Sequence, residues 1–150
     1  MPIKLSTFFF VISSLISCKP QADYYHLPLF SSNNLVHAVI EIPAGTNKKY
    51  EYNPDSNSFE IDKKNGVDRT VQFLPYVGNY GYIPSTFSDP AKGGDGDALD
   101  VLILSESMPT GTLIEIIPIA VLKLKDAGEL DYKIVGIPAD NSMRIINAVS

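Results

Sequence analysis

The chain has 150 residues, 45% of them hydrophobic and 19% charged, with 10 Gly, 11 Pro, a single Cys and no Trp. That composition fits one globular domain and excludes a disordered chain or several domains in series. With 12 Lys plus Arg against 17 Asp plus Glu, the net charge of -5 excludes an extended basic face for nucleic acid. A polyanion can be held only through a local cationic cluster or through divalent cations bound by the surplus carboxylates.

At the N-terminus, Met1 to Lys4 carries one positive charge and residues 5–17 form an uncharged, largely apolar run. The run is signal-peptide length and too short to span a bilayer. It ends in Leu15-Ile16-Ser17-Cys18, which resembles a bacterial lipobox with Cys18 as the lipidated first residue of the mature chain. The expected organisation is a signal peptide over 1–17, a tether over 18–35 and one domain over 36–150. The protein is then exported to face the periplasm, touching the membrane only through the anchor at Cys18; a cytoplasmic location is the alternative. Read without the lipobox, the run is a buried strand with a free core thiol.

From Val36 onward the pattern is strands and turns. Residues 36–42 are β-rich and stop at Pro43-Ala44-Gly45. Residues 48–53 alternate, putting Lys49 and Glu51 on one face and Tyr50 and Tyr52 on the other. Asn53-Pro54-Asp55 turns into a short strand over 58–62, Lys63 to Gly66 turns again, and 67–74 is the next candidate strand. Residues 99–104, 112–124 and 130–137 are strongly apolar and are separated by turns at Met108-Pro109-Thr110-Gly111 and Lys125-Asp126-Ala127-Gly128-Glu129. No stretch carries a sustained 3.6-residue apolar period. The chain therefore reads as mainly β, a small closed or nearly closed barrel.

The chemistry concentrates in Gly93-Gly94-Asp95-Gly96-Asp97-Ala98-Leu99-Asp100, three carboxylates on a glycine-rich loop that runs straight into an apolar strand. Carboxylates so close repel one another and, ionised together, favour a bound hard cation such as Mg²⁺, Mn²⁺ or Ca²⁺. An EF-hand loop fails, because Asp100 stands where the sharp turn needs Gly and residues 101–104 are a β-like run without flanking helices. The bland reading is a solvated acidic turn. His26 and His37 are too far apart, and too poor in Cys or acidic company, for a zinc pattern. No P-loop, Gly-x-Ser-x-Gly elbow or dinucleotide fingerprint occurs in the sequence.

Asp95-Gly96-Asp97-Ala98-Leu99-Asp100 resembles the Asp-Gly-Asp-Pro-x-Asp signature of the soluble family I inorganic pyrophosphatases, with Ala98 in place of the usual proline. Other motifs follow the family in order: Val39-Ile40-Glu41-Ile42-Pro43, Lys49-Tyr50-Glu51, Asn79-Tyr80-Gly81-Tyr82-Ile83-Pro84, then Val121-Leu122-Lys123 leading to Asp126, Asp131 and Lys133. The resemblance implies an OB-like β-barrel of the pyrophosphatase type and Mg²⁺- or Mn²⁺-dependent hydrolysis of pyrophosphate. It assigns Asp97 as general base and Asp95, Asp100, Asp126 and Asp131 as metal ligands. Lys49, Arg69, Tyr80 and Lys133 bind phosphate, and Glu41 and Glu51 support the cavity. Members commonly assemble, which implies a homo-oligomer. They also usually carry a C-terminal helix with a Tyr-Lys pair, and no Tyr or Lys follows Lys133 here, so the expectation is a truncated member missing that helix. Two alternatives stay open: a metal- and phosphate-binding lipoprotein with little or no turnover, and a hydrolase of short polyphosphates.

Overall fold

The computed structural model describes residues 23–126 and 128–146; the expected signal peptide and Cys18 lie outside the described residues. Five strands close a barrel in the order β1 (Val36–Ile42), β6 (Asn79–Tyr82), β7 (Asp100–Ile103), β9 (Glu129–Pro138) and β8 (Leu113–Asp126), with β8 returning to β1. All of these contacts are antiparallel except β7 with β9, which run parallel. Two small hairpins stand outside the barrel, β2 (Tyr50–Asn53) with β3 (Ser58–Ile61) and β4 (Lys63–Lys64) with β5 (Val67–Asp68). Among the described residues there is no α-helix, only 3₁₀ turns at Pro90–Lys92 and Asn141–Met143.

The barrel interior is filled by Ala38, Ile40, Ile83, Val101, Ile103, Met108, Ile114 and Ile116. A second cluster on the outer wall joins Val39, Tyr52 and Tyr82, covered by Tyr24, Tyr25, Leu27 and Phe59. Two layers of burial explain why β1 is apolar at nearly every position, instead of alternating as a half-exposed strand would. Asn79, fully buried, ties the barrel end together. Its Nδ2 donates to Ser105 Oγ (2.9 Å) and to the Glu106 carbonyl (2.8 Å), and its Oδ1 accepts from the Ala44 and Met108 N–H groups.

Two irregularities shape the wall. In β1 the register with β6 shifts between Ile40 and Ile42. This bulge puts one extra residue into the strand, so Glu41 and Ile42 both come to the outer side. In β8 the register with β9 shifts between Pro118 and Ala120, the kind of position where a proline without an N–H is tolerated in a sheet. Gly81 meets β1 so closely that a Cβ there would lie 1.9 Å from the Val39 carbonyl oxygen, so any other residue would push the two strands apart.

One expectation is corrected. Residues 67–74 do not form one strand: Val67–Asp68 pair with β4, Thr70 makes an isolated bridge to Lys48, and no residue of the segment pairs with a barrel strand. Residues 23–34, the described part of the expected tether, pack on the barrel. The Ser85 N–H donates to the Tyr25 carbonyl (2.9 Å) and its Oγ to the Leu27 carbonyl (2.8 Å). His37 pairs with the Pro28 carbonyl through Nδ1 at 2.7 Å, and Leu29 packs on the barrel core.

Candidate active site

The pairing register brings the site together. Tyr82 lies opposite Asp100 across β6 and β7, and Asp100 lies beside Lys133 across the parallel pair β7 and β9. Paired residues share a face, and residues two apart along a strand share it too. Tyr80, Tyr82, Asp100, Asp131 and Lys133 therefore project from one patch of the outer wall, while Val101 and Ile103 point inward.

Above this patch lies a cavity of about 490 Å³. Lining it are Glu41, Lys49, Glu51, Tyr80, Asp95, Asp97, Asp100, Asp126, Asp131 and Lys133, ten of the residues expected from the sequence. Arg69 does not line it. Arg69 borders an adjoining cavity of about 230 Å³ that shares Lys49 and Tyr76 with the first, and its Nη1 donates to Asp62 Oδ2 at 2.5 Å.

Among the described residues Lys133 is the most heavily bonded cation. Its Nζ donates to Asp100 Oδ2 (2.7 Å), Asp131 Oδ1 (2.7 Å) and the Tyr80 hydroxyl (2.8 Å), and the Tyr80 hydroxyl donates in turn to Asp100. Burial opposes the ammonium charge, but the hydrogen bonds to Asp100 and Asp131 outweigh it and raise the Lys133 pKa. Burial, with the charge of Asp100, pushes the Tyr80 phenol far up, so it stays a donor. Lys49 pairs with the Glu51 carboxylate and stands 3.6 Å from Asp62; burial opposes its charge too, and Glu51 overcomes this to raise its pKa.

The acid loop hangs between β6 and β7. Gly96 adopts φ +90°, a conformation glycine takes without penalty, and the Asp97 N–H donates to Asp95 Oδ1 at 3.1 Å. Burial first, then the charges of Asp95 and Asp100, raise the Asp97 pKa, which suits a carboxylate that takes up a proton. Glu41, turned to the cavity by the bulge, is only 8% exposed. It accepts from the Tyr52 N–H (2.7 Å), and burial pushes its pKa up to about 8.

The carboxylates suit a hard divalent cation by donor type, and Lys133, bridging Asp100 and Asp131, already shows that the pair draws positive charge. Among the described residues no three His, Cys, Asp or Glu side chains converge closely enough to hold an ion as they stand. A cation would have to gather them by side-chain rotation.

The sequence reading missed Tyr25, Tyr52, Tyr76, Tyr82 and Glu129, all of which line the cavity. Glu129 was detectable as the partner of Asp126 across a tight hairpin. Tyr25 carried no signal, since its segment resembled a linker.

Residues 38–150 match the family model described as inorganic pyrophosphatase. The chain belongs to the inorganic pyrophosphatase family. It is 41% identical over 108 residues to the inorganic pyrophosphatase of Neisseria meningitidis, covering 71% of this chain and 55% of that protein. With that of Synechocystis it shares 38% over 119 residues, covering 78% and 64%. Among solved structures it resembles type I inorganic pyrophosphatase from Toxoplasma gondii, with TM-score 0.73 and 32% identity over 85% of this chain and 63% of that one. For an inorganic pyrophosphatase from Neisseria gonorrhoeae the TM-score is 0.62 at 36% identity, covering 77% and 62%. The chain thus spans roughly three fifths of the length of these inorganic pyrophosphatases.

Proposed function

We propose that this chain hydrolyses inorganic pyrophosphate to two orthophosphates with Mg²⁺, or Mn²⁺, as cofactor. The observation that carries the reading is the convergence, in one cavity of an inorganic pyrophosphatase-family barrel, of the Asp95-Asp97-Asp100 loop with Asp126, Asp131, Lys49, Lys133 and Tyr80. Asp95, Asp100, Asp126 and Asp131 would hold the divalent cations. When bound, these neutralise phosphate charge and make water easier to deprotonate. Asp97 takes the proton from the attacking water, its raised pKa bringing it nearer to the working pH. Lys49 and Lys133, both lining the cavity, bind the phosphates, and Arg69 steadies Lys49 through Asp62. Glu51 keeps Lys49 charged, and Glu41 closes the wall behind them.

Orthophosphate release from pyrophosphate with Mg²⁺, measured beside an Asp97→Asn control, is the test. The expected loss in the variant is about 10²–10⁴-fold; a wild-type rate no higher than the control's rejects the enzyme and leaves a binding lipoprotein. The adjoining cavity with Arg69 favours a second reading, hydrolysis of short polyphosphates, and the rate ratio on tripolyphosphate and pyrophosphate decides it. We further propose export and lipid anchoring at Cys18. In that case Cys18→Ser releases the protein from membranes, and a wild-type chain that stays soluble and uncleaved refutes it. Assembly into a homo-oligomer belongs to the same proposal and is read by light scattering.

A further inference from the structure

Tyr25 stands outside the matched family region, which begins at residue 38, yet it lines the main cavity beside Asp97 and Glu41. It is held firmly there. Its ring packs on Tyr82 (centroids 4.8 Å apart) and edge-on against Tyr52 (5.2 Å). Its carbonyl accepts from the Ser85 N–H, and Ser85 takes φ +55°, a conformation rare for a residue with a side chain. A strained residue fastening the segment at Tyr25 and again at Leu27 fixes where the phenol points.

The cavity's phenols differ in what they are free to do. Tyr52 donates to Asn57 (2.6 Å), Tyr80 to Asp100, and the Tyr82 hydroxyl is sealed away with no partner among the described residues. The Tyr25 and Tyr76 hydroxyls make no hydrogen bond to a described residue. Tyr76 packs on Tyr80 and borders the cavity of Lys49 and Arg69, so it serves the cationic side. Tyr25 faces Glu41 and Asp97, neither of which has an ion-pair partner among the described residues.

Resting on the pyrophosphatase reading, we propose that Tyr25 is a substrate-binding residue whose hydroxyl donates a hydrogen bond to a pyrophosphate oxygen on the side of the cavity lined by Asp97 and Glu41. A neutral donor there offsets the repulsion that a phosphate oxygen meets from the Asp97 carboxylate.

The test compares wild type, Tyr25→Phe and Tyr25→Ala by steady-state hydrolysis of pyrophosphate and by calorimetric binding of methylenediphosphonate, a non-hydrolysed analogue, both with Mg²⁺. Tyr25→Phe keeps the ring and should leave Tm unchanged and kcat within about twofold, while KM and the analogue Kd rise about 5- to 10-fold, the scale of one lost hydrogen bond. Tyr25→Ala should show the same weakening together with a lower Tm. Unchanged KM and Kd in Tyr25→Phe, or a fall in kcat alone, overturn the assignment while wild-type turnover leaves the pyrophosphatase reading standing. A wild-type chain that neither hydrolyses pyrophosphate nor binds the analogue overturns both.

Discussion

Lys133 and Lys49 bring positive charge to the same cavity, but the fold invests in them differently. Lys133 sits inside a ten-residue barrel strand, and its ammonium is fixed by two carboxylates and a phenol supplied by three strands. Lys49 precedes a four-residue strand outside the barrel, its close partner is only two residues away, and Asp62 stands at 3.6 Å. A charge bonded to groups from neighbouring barrel strands is held more firmly before substrate arrives than one whose close partner sits two residues away on a small hairpin. Lys133 is therefore the fixed end of the site and Lys49 with Arg69 the adjustable end.

The largest effect is expected from removing the fixed end. Lys133→Ala leaves Asp100 and Asp131 facing each other without a cation. It should lower kcat/KM about 10²–10³-fold and destabilise the metal-free protein by about 2–3 kcal/mol; steady-state assays and urea unfolding in EDTA measure the two. A Lys133→Ala protein as stable as wild type would mean that the strand charges are not locked.

Glu41, on the bulge between the two ends, is read by pH. Folding raises its pKa from 4.5 to about 8, so the folded state holds this proton more tightly than the unfolded one. Glu41's contribution is full below about pH 4.5. It falls as pH climbs to about 8 and is level above. Glu41→Gln can still accept from the Tyr52 N–H and should lack that slope. The wild-type-minus-variant difference should change by a few kcal/mol across the window, at about 1.4 kcal/mol per pKa unit, measured by denaturant unfolding without metal.

At the adjustable end, Lys49→Ala should raise KM about 10-fold with a smaller loss of kcat. Arg69→Ala, outside the main cavity, should cost only about two- to fivefold in KM, and steady-state kinetics rank the two. An Arg69→Ala effect as large as that of Lys133→Ala would invert the comparison.

Much of the fixed end was legible in the sequence, and less of the adjustable end. The acid loop could be read because Asp95, Asp97 and Asp100 are close in sequence and lead directly into an apolar strand. The barrel strands could be read because burial on both sides leaves long apolar runs. The bulge at Glu41 could not, since one extra residue leaves a continuous apolar strand looking regular. The expected strand over 67–74 failed because β propensity does not supply a neighbour to pair with. Tyr25 was hidden for a different reason: its role depends on contacts with Tyr52, Tyr82 and Ser85, far along the chain, and nothing local marks it.

The parallel contact of β7 with β9 has a kinetic corollary. Asp100 and Lys133 become neighbours only after the whole β8 excursion has been laid down and the sheet has closed, which makes this pairing one of high contact order. Until then the acid loop is synthesised, and folds, without its principal counter-charge. During refolding, tyrosine burial around Tyr52 and Tyr82 should run ahead of recovered turnover, and the lag between them times the closure of the barrel.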